Sequence, residues 1–560
     1  MEKMPMDPTL RLKMKMISSL EKCFYDDALE SKEEKNKFIM FRNERLSFQV
    51  MYRAEHKRMK LARKCPVRLG GELAEYARLR LVSDVVNMFP IWNINPGGEY
   101  IRTEPGAYPD MLRPLIYPDA IALPDGITHA LWVDIELPED HPTGEYSITV
   151  SVFGENGELL SDVSGSVRVI DAKLPRQKLI HTEWFYTDCI ANYYHCRAFS
   201  ERHWRYIESF MRTAVRNGIN MILTPVFTPE IDTYVGGERL TTQLVDIEFA
   251  ENGVYKFGFE KLHRWIDLCL DCGVEYFEIP HFFSQWGAVA TPKIIVKVNG
   301  RNKKYFGWHT DSKGEEYKGF LSQFIPALLE EFKKRGLDKK CFFHVSDEPK
   351  ITMLDSYREC KDIIGKYLEG YPIIDAMSDF EFYSKGVMEK PVPGIAHSAP
   401  FLEAGVPDLW VYYCGCGGSG VTGRQLSMPL ERTRILGVQL YLNNIEGFLH
   451  WGYNFYNSNG SHTVLDPYGY PDGGYFTPSG DCFIVYPGTD GEAWESIRLN
   501  AMREAMDDMR ALSLYEEKFG REATEKLIME NAGDALTFTK YPTDRGYLID
   551  LRERIAEAFA

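Results

Sequence analysis

The chain has 560 residues, of which 44% are hydrophobic and 26% charged, and this composition is typical of a globular protein rather than a disordered or fibrous one. The length predicts two or three domains, because a single core rarely grows so large. A formal net charge of −16 argues against a nucleic-acid partner, since phosphate binding needs a concentrated basic surface.

The start of the chain lacks the apolar core of a signal peptide, and no run of 18 apolar residues follows. We therefore expect a cytoplasmic protein without a membrane span. The eleven cysteines, an odd number, fit reduced thiols better than a set of disulfides. Two close pairs, Cys269 with Cys272 and Cys414 with Cys416, lack the second pair that a zinc site needs, so no metal site is predicted.

The first third of the chain divides into two parts. Residues 1–44 are charged and rich in methionine, with weak periodicity, and we predict a helical or irregular segment there. From 45 to 175, short runs such as HALWVDIEL alternate apolar and polar residues, and Asn156-Gly157 forms the turn between two of these runs. This alternation predicts an N-terminal β-sandwich domain over 45–175.

After Pro175, apolar strands alternate with amphipathic helices, which is the order of parallel βα units. The eight candidate strands are IHTEWFYTD, INMILTP, VEYFEIPH, CFFHVSDEP, YPIIDAMSD, PGIAHSAP, LWVYYCG and EGFLHWGY. Between the third and the fourth, IIVKVNGRNKKYFGW predicts a hairpin that turns at Asn299-Gly300. The fold class is therefore multidomain β and α/β, with a (β/α)8 TIM-type barrel over 176–515 and a C-terminal helical extension over 516–560.

In such a barrel the active site lies at the carboxyl ends of the strands, and here these ends are rich in aromatic, acidic and histidine residues. This lining suits a sugar, because pyranose rings offer apolar faces to aromatic planes and hydroxyls to polar groups. The predicted substrate-binding residues are Asp188, His281, Tyr413, His450, Trp451 and Tyr453. For each of them alone, packing inside the barrel or at its rim is the alternative interpretation.

The adjacent carboxylates Asp347 and Glu348 follow the apolar run CFFHV and precede Pro349. Because a residue before proline is held extended and the strand is ending, both side chains are expected to turn toward the mouth of the barrel. Two close carboxylates raise the pKa of one of them, which keeps that carboxyl protonated for general acid catalysis. A solvated acidic turn is the alternative.

The adjacency itself points to one mechanism. Retaining glycosidases with a protein nucleophile hold two carboxyls on opposite sides of the scissile bond, about 5 to 5.5 Å apart, and sequence neighbours rarely flank a bond in this way. Adjacent carboxylates instead fit substrate assistance, in which the 2-acetamido oxygen of the sugar attacks the anomeric carbon. Glu348 is then predicted to protonate the leaving oxygen and Asp347 to accept the acetamido N–H.

The sequence resembles glycoside hydrolase family 123 in four segments, which are FFHVSDEP, WFYTDCIANYYHCRAFSERHWRYIESFMRTAVRNGINMILTPVFTP, FLEAGVPDLWVYY and GFLHWGYNFYNS. The resemblance implies a β-sandwich followed by a (β/α)8 barrel, and exo-acting β-N-acetylgalactosaminidase activity by the retaining, substrate-assisted route. It also implies that no metal or organic cofactor is used, and that the family's adjacent Asp and Glu correspond to Asp347 and Glu348. The expected partner is an oligosaccharide or glycoconjugate with a terminal β-linked N-acetylhexosamine of galacto or gluco configuration.

Two alternatives stay open at this point. The first is a glycosidase for a sugar without an acetamido group, with Glu278, Asp375 or Asp379 as a distant nucleophile. The second is a carbohydrate-binding protein without catalysis, because a fold alone does not establish activity. Turnover of a 2-hydroxy analogue marks the first alternative, and binding without turnover marks the second. The oligomeric state is open.

Overall fold

The computed structural model describes residues 10–57, 60–92, 100–117, 119–250, 253–415, 420–530, 532–533 and 536–560. The chain groups into two compact units. The first comprises Met1–Gln177, Arg424–Leu442 and Trp494–Ala560, and the second comprises Lys178–Gly423 and Asn443–Ala493. Cys416, one of the cysteines considered above, lies outside the described residues.

The N-terminal part of the first unit is built from strands, which are β1 (Arg11–Ser18), β2 (Lys37–Phe41), β3 (Arg45–Glu55), β4 (Leu61–Gly70), β5 (Ala77–Asn87), β6 (Gly106–Arg113), β7 (Ala120–Pro124), β8 (Thr128–Glu136), β9 (Gly144–Phe153) and β10 (Leu159–Ile170). They form two five-stranded sheets, in the orders β1-β3-β8-β5-β6 and β2-β10-β9-β4-β7. One apolar core takes side chains from both sheets, among them Phe48, Val50, Val133, Val150 and Val167. Two sheets around a shared core are the arrangement of a sandwich, as the alternating pattern predicts.

The prediction for residues 1–44 is wrong in the part that the structure describes, while residues 1–9 lie outside it. Strands β1 and β2 lie where a helical or irregular segment was expected, and β1 pairs antiparallel with β3 over its whole length. In RLKMKMIS the apolar residues alternate with basic ones, which is the period of a strand. Leu12 and Met16 accordingly belong to the shared core of the two sheets.

The second unit contains the strands β11 (Ile180–Glu183), β12 (Met221–Leu223), β13 (Asp246–Phe249), β14 (Tyr255–Gly258), β15 (Tyr276–Glu278), β16 (Ile294–Val298), β17 (Arg301–Phe306), β18 (Cys341–Phe342), β19 (Ile374–Ala376), β20 (Lys390–Val392), β21 (Trp410–Tyr412), β22 (Gly447–His450) and β23 (Val485–Pro487). Its helices are α1 (Thr187–Tyr193), α2 (Glu201–Arg216), α3 (Glu260–Cys272), α4 (Glu315–Lys333), α5 (Leu354–Gly365), α6 (Glu381–Ser384) and α7 (Ala399–Glu403).

Six of these strands form one parallel sheet in the order β18-β15-β12-β11-β22-β21, and β19 pairs with β20 in parallel. Two further parallel bridges continue the pairing, one between Phe343 and Ile373 and the other between Gly394 and Tyr412. The sixth strand was expected at 393–400 and lies earlier, at β20, because residues 395–397 form a helical turn and α7 follows.

The predicted hairpin of this unit is confirmed, and a serine cap begins one of its helices. The hydroxyl of Ser200 caps α2, where it accepts from the N–H of His203. The hairpin of β16 and β17 turns at Asn299-Gly300, where both residues have positive φ, as a two-residue hairpin turn requires. A second small sheet, in the order β14-β13-β16-β17, contains this hairpin.

The remaining elements are α8 (Glu431–Arg434), α9 (Leu436–Leu442), β24 (Ala493–Glu495), α10 (Ile497–Phe519), α11 (Arg521–Met529) and α12 (Arg545–Glu557). Helices α9 and α10 approach so closely that a Cβ on Gly437 would lie inside the carbonyl of Ala505. Arg434 pairs with Asp508, and both side chains are nearly buried. None of the helices in the described ranges is long and apolar enough to cross a bilayer.

Candidate active site

The two adjacent carboxylates follow β18 in an unusual backbone conformation. Glu348 has a φ of 45°, a left-handed value that strains a residue other than glycine. Its N–H donates to the carbonyl of Ala376 (3.1 Å), and the carbonyl of Asp347 accepts from the N–H of Trp286 (3.3 Å). The extended conformation expected before Pro349 is therefore not found, and hydrogen bonds from β19 and from the loop after β15 hold the left-handed one.

Asp347 is 4% exposed, and its Oδ2 accepts a 2.7 Å hydrogen bond from the amide nitrogen of Gln285. Burial raises the pKa of Asp347 well above its usual range, the nearby charges of Glu348 and Asp232 add to the increase, and the Gln285 bond opposes it. The orientation of the Gln285 amide is fixed from the other side, because its Oε1 accepts from the backbone N–H of Asp232 (3.0 Å). A backbone N–H can only donate, so the –NH2 group must face Asp347.

Glu348 is more exposed than its neighbour, and its Oε1 accepts a 2.7 Å hydrogen bond from the hydroxyl of Tyr412. Tyr412 ends β21, so strands on two sides of the site contribute to the position of the acidic pair. Burial and the charge of Glu348 raise the pKa of Tyr412 well above its usual range, so this hydroxyl stays a donor at neutral pH.

A buried polar network lies beside the pair. His344 is 2.7 Å from Glu278 through Nε2 and 3.0 Å from Asp375 through Nδ1. Glu278 also accepts from the hydroxyl of Thr182 and the indole of Trp184, so all its recorded contacts are donors. Burial alone would lower the pKa of His344, but the hydrogen bonds to the two carboxylates raise it to about 9. His344 therefore carries its charge at neutral pH.

His281, His344 and Asp375 are close enough for their ligand atoms to hold a metal ion. The hydrogen-bond chemistry does not favour one, because His344 serves as a donor to both carboxylates and an imidazolium has no lone pair for a metal. Burial, and then the charge of His344, lowers the pKa of His281 well below its usual range, so this ring is neutral. Within the described ranges neither ring nitrogen of His281 has a hydrogen-bond partner, and it stays a candidate for substrate contact.

The residues after β22 form a second group. The Nδ1 of His450 accepts from the N–H of Gly452 (3.0 Å), so its Nε2 carries a proton and faces Asp481 Oδ1 at 3.3 Å. The indole of Trp451 donates to the other oxygen of Asp481 (2.9 Å) and is partly exposed, so it stays a candidate for sugar stacking. Tyr413 is buried against the rings of Phe448 and His450 and serves as packing under this group.

Two predicted substrate-binding residues face other parts of the protein. Both oxygens of Asp188 accept from the guanidinium of Arg239, at 2.7 and 2.9 Å, and the pair is buried. Tyr453 is fully buried, stacks on Phe185 and donates its hydroxyl to the carbonyl of Phe210 in α2. These contacts are at odds with substrate binding by Asp188 and Tyr453, because their polar atoms are already used.

Four residues near the pair were missed as candidates, namely Asp232, Gln285, Tyr412 and Asp481. Tyr412 ends β21, but its neighbour Tyr413 was predicted to bind the substrate instead. The other three lie in long loops that follow β12, β15 and β22, where the sequence has no periodic signal.

The sequence model described as "Glycoside hydrolase 123, catalytic domain" matches residues 184–515, which is more than half of the chain. No curated protein matches the chain in sequence.

Among solved structures, the chain is similar to a family 123 glycoside hydrolase from Clostridium perfringens that was studied for glycolipid glycan hydrolysis. The two share 15% sequence identity with a TM-score of 0.70, over 98% of this chain and 97% of that one. A β-glucuronidase from Parabacteroides merdae (11% identity, TM-score 0.29, 91% of this chain and 52% of that one) and an endo-β-1,4-mannanase from Thermotoga petrophila (12%, 0.33, 61% and 78%) are too distant in structure to add to the argument. The chain belongs to glycoside hydrolase family 123.

Proposed function

We propose that this protein is a retaining exo-glycosidase that releases terminal β-linked N-acetylhexosamine, with N-acetylgalactosamine as the expected sugar, by a substrate-assisted mechanism. The observation that carries the proposal is the different support of the two adjacent carboxylates. Buried Asp347 accepts from an amide of fixed orientation, whereas the more exposed Glu348 accepts from the phenol of Tyr412. This difference supports a role for Asp347 in orienting a bound group and for the more exposed Glu348 in exchanging a proton.

In this mechanism the acetamido oxygen of the sugar attacks the anomeric carbon, and the bond to the leaving oxygen breaks as Glu348 protonates that oxygen. Asp347 accepts the acetamido N–H and stabilises the charge of the cyclic oxazolinium intermediate. Glu348 then takes a proton from the water that opens this intermediate, so the sugar is released with its original anomeric configuration.

The pair must hold its proton on Glu348 when substrate is bound. In the free protein, burial and the neighbouring carboxylates favour the neutral form of Asp347. An acetamido N–H that donates to Asp347 favours its anion instead, since a hydrogen bond to a charged form lowers the pKa. Substrate binding therefore favours the anion of Asp347, the form that orients the acetamido group.

The alternative with a distant nucleophile has weak candidates. Glu278 and Asp375 are fully buried, and each accepts hydrogen bonds from His344 and from other donors. Asp379 is exposed and accepts from the N–H of Ile351. Glu278 and Asp375 therefore lack the free, partly exposed carboxylate that attack on an anomeric carbon requires, whereas the exposed Asp379 retains one.

The proposal includes the fold that positions the site. Parallel pairing runs through six strands, and the bridges Phe343 to Ile373 and Gly394 to Tyr412 join the ends of this sheet through β19 and β20. We infer a closed (β/α)8 barrel, in which the pair follows the fourth strand. A cytoplasmic location is also part of the proposal, supported by the ten described cysteines, which are all free thiols.

Hydrolysis of p-nitrophenyl glycosides tests the proposal. We expect turnover of β-GalNAc or β-GlcNAc and none of β-galactose or β-glucose, because only the first two supply an acetamido oxygen. Glu348→Gln is expected to lose far more activity on alkyl glycosides than on activated aryl glycosides, which need little acid help. Turnover of plain galactose or glucose would refute substrate assistance, and binding without any turnover would favour a binding protein. Glycolipid glycans belong in the panel, since the Clostridium perfringens relative was studied on them.

A further inference from the structure

Asp232 lies in the long loop between β12 and β13 and is fixed at the edge of the acidic pair. Its φ is 49°, a strained value, and the side chain is only 8% exposed. Its backbone N–H donates to Oε1 of Gln285 (3.0 Å), and its carbonyl accepts from the hydroxyl of Ser461 (2.7 Å). Loops after β15 and β22 therefore hold this residue from two sides.

The carboxylate of Asp232 accepts no hydrogen bond from the residues that the structure describes. Burial raises the pKa of Asp232 to about 7, with Arg239 opposing and the charges of Glu348 and Asp481 adding to the increase. Glu348 and Asp481, the hydrogen-bond partner of Trp451, are therefore close enough for their charges to act on Asp232.

Gln285 offers a matching donor at the same place. Its amide donates one hydrogen to Asp347, and its oxygen accepts from the N–H of Asp232. Its second amide hydrogen has no acceptor in the described structure. A donor on Gln285 and an acceptor on Asp232 are thus left open on two residues that a hydrogen bond joins, and a hydroxyl group fits such a pair, because it accepts one hydrogen bond and donates another.

We propose that Asp232, together with the second N–H of Gln285, binds a ring hydroxyl of the terminal sugar and determines which sugars are accepted. This inference rests on the proposed function, because it assigns the sugar to the site of Asp347 and Glu348. A buried carboxylate that accepts no hydrogen bond raises the free energy of the protein. A sugar that lacks the matching hydroxyl cannot supply this bond and should therefore be a poorer substrate. Such a site discriminates more strongly than an apolar pocket can.

The test is a cycle of variants and substrates. The values of kcat/KM are measured for wild type, Asp232→Asn and Asp232→Ala on the N-acetylhexosaminide that wild type prefers and on its 3-, 4- and 6-deoxy analogues. For wild type we expect kcat/KM to be about 10- to 100-fold lower on one deoxy analogue than on the parent sugar, which is the effect of a hydrogen bond to a charged group. For Asp232→Ala we expect kcat/KM on the parent sugar to fall by the same factor, with no further decrease on that analogue. The control is Glu230→Gln, which changes another buried carboxyl of the same loop. Its ratios of kcat/KM between the parent sugar and each deoxy analogue should equal those of wild type.

The same deoxy penalties in wild type and in both variants would overturn the inference. Activity lost on treatment of wild type with EDTA and restored by Ca²⁺ or Mg²⁺ would also overturn it, since Asp232 would then hold a cation. Calorimetric binding of the free N-acetylhexosamine separates this inference from the proposed function. If wild type turns over nothing but binds the sugar through Asp232, only the proposed function fails; if Asp232→Ala and wild type bind alike, the inference fails. Circular dichroism confirms that each variant is folded.

Discussion

Replacement of Gln285 by methionine should move the acid limb of the pH profile. The amide of Gln285 donates the one hydrogen bond recorded for the Asp347 carboxylate, at 2.7 Å, and it lowers a pKa that burial raises. A hydrogen bond to a charged group contributes about 1.5–3 kcal/mol, and one pKa unit corresponds to about 1.4 kcal/mol. Because the proposed mechanism needs the anion of Asp347, Gln285→Met should shift the acid limb of kcat/KM upward by about 1 to 2 pH units.

The assay is kcat/KM from about pH 4 to pH 9 on an aryl N-acetylhexosaminide, where the limb reports the titration of the carboxylate pair. Gln243→Met is the matched control, because Gln243 is equally buried and donates its amide to the carbonyls of Val245 and Ile295. It should lower stability without moving the limb. A Gln285→Met enzyme that is slower at every pH by the same factor, with the limb unmoved, would refute the role assigned to the amide.

Three more predictions concern neighbouring groups. Tyr412→Phe removes the donor to Glu348 and should lower kcat/KM about 10-fold on alkyl glycosides and much less on activated aryl glycosides; equal losses would place Tyr412 outside acid catalysis. Asp188→Ala leaves the Arg239 guanidinium buried without its bidentate partner and should lower the free energy of unfolding in urea by about 3–5 kcal/mol, and a loss below about 1 kcal/mol would contradict this. The pKa of His344 is raised from 6.5 to about 9 in the folded state, so its protonation contributes about 3 kcal/mol at most to the free energy of unfolding. This contribution is complete below pH 6.5 and is lost as the pH rises through 9. Urea unfolding between pH 6 and pH 10 should show this decline in wild type and not in His344→Gln.

The fold could be predicted where one periodic signal decided the structure. Helix α2 has both an apolar stripe and a serine cap, and the hairpin of β16 and β17 has an Asn-Gly turn, so local and tertiary preferences agree. The prediction failed at β1, because its two-residue period extends over only eight residues within a charged, methionine-rich segment. It also failed at the sixth strand, because β20 is only three residues long and ends before PGIAHSAP, the segment in which the strand was expected.

Of the candidate site, the closeness of the acidic pair could be predicted most directly. Asp347 and Glu348 are sequence neighbours, so their proximity needs no knowledge of the fold. The choice between Tyr412 and Tyr413 depends on which face of a three-residue strand points to the site, and so short a strand gives no pattern from which to decide. Gln285 and Asp232 meet across 53 residues of chain, and such a contact exists only after the loops have packed.

The left-handed backbone at Glu348 affects which residue is expected at this position in relatives that have lost activity. A residue other than glycine in this conformation costs the fold about 1–3 kcal/mol, and under the proposed function the need for a carboxyl at this place explains why that cost is kept. Relatives that have lost selection for catalysis should therefore drift first to glycine or asparagine here, and become more stable as they lose activity. The residue that stands at this one position can thus distinguish descendants that still cleave sugars from those that have kept only the fold.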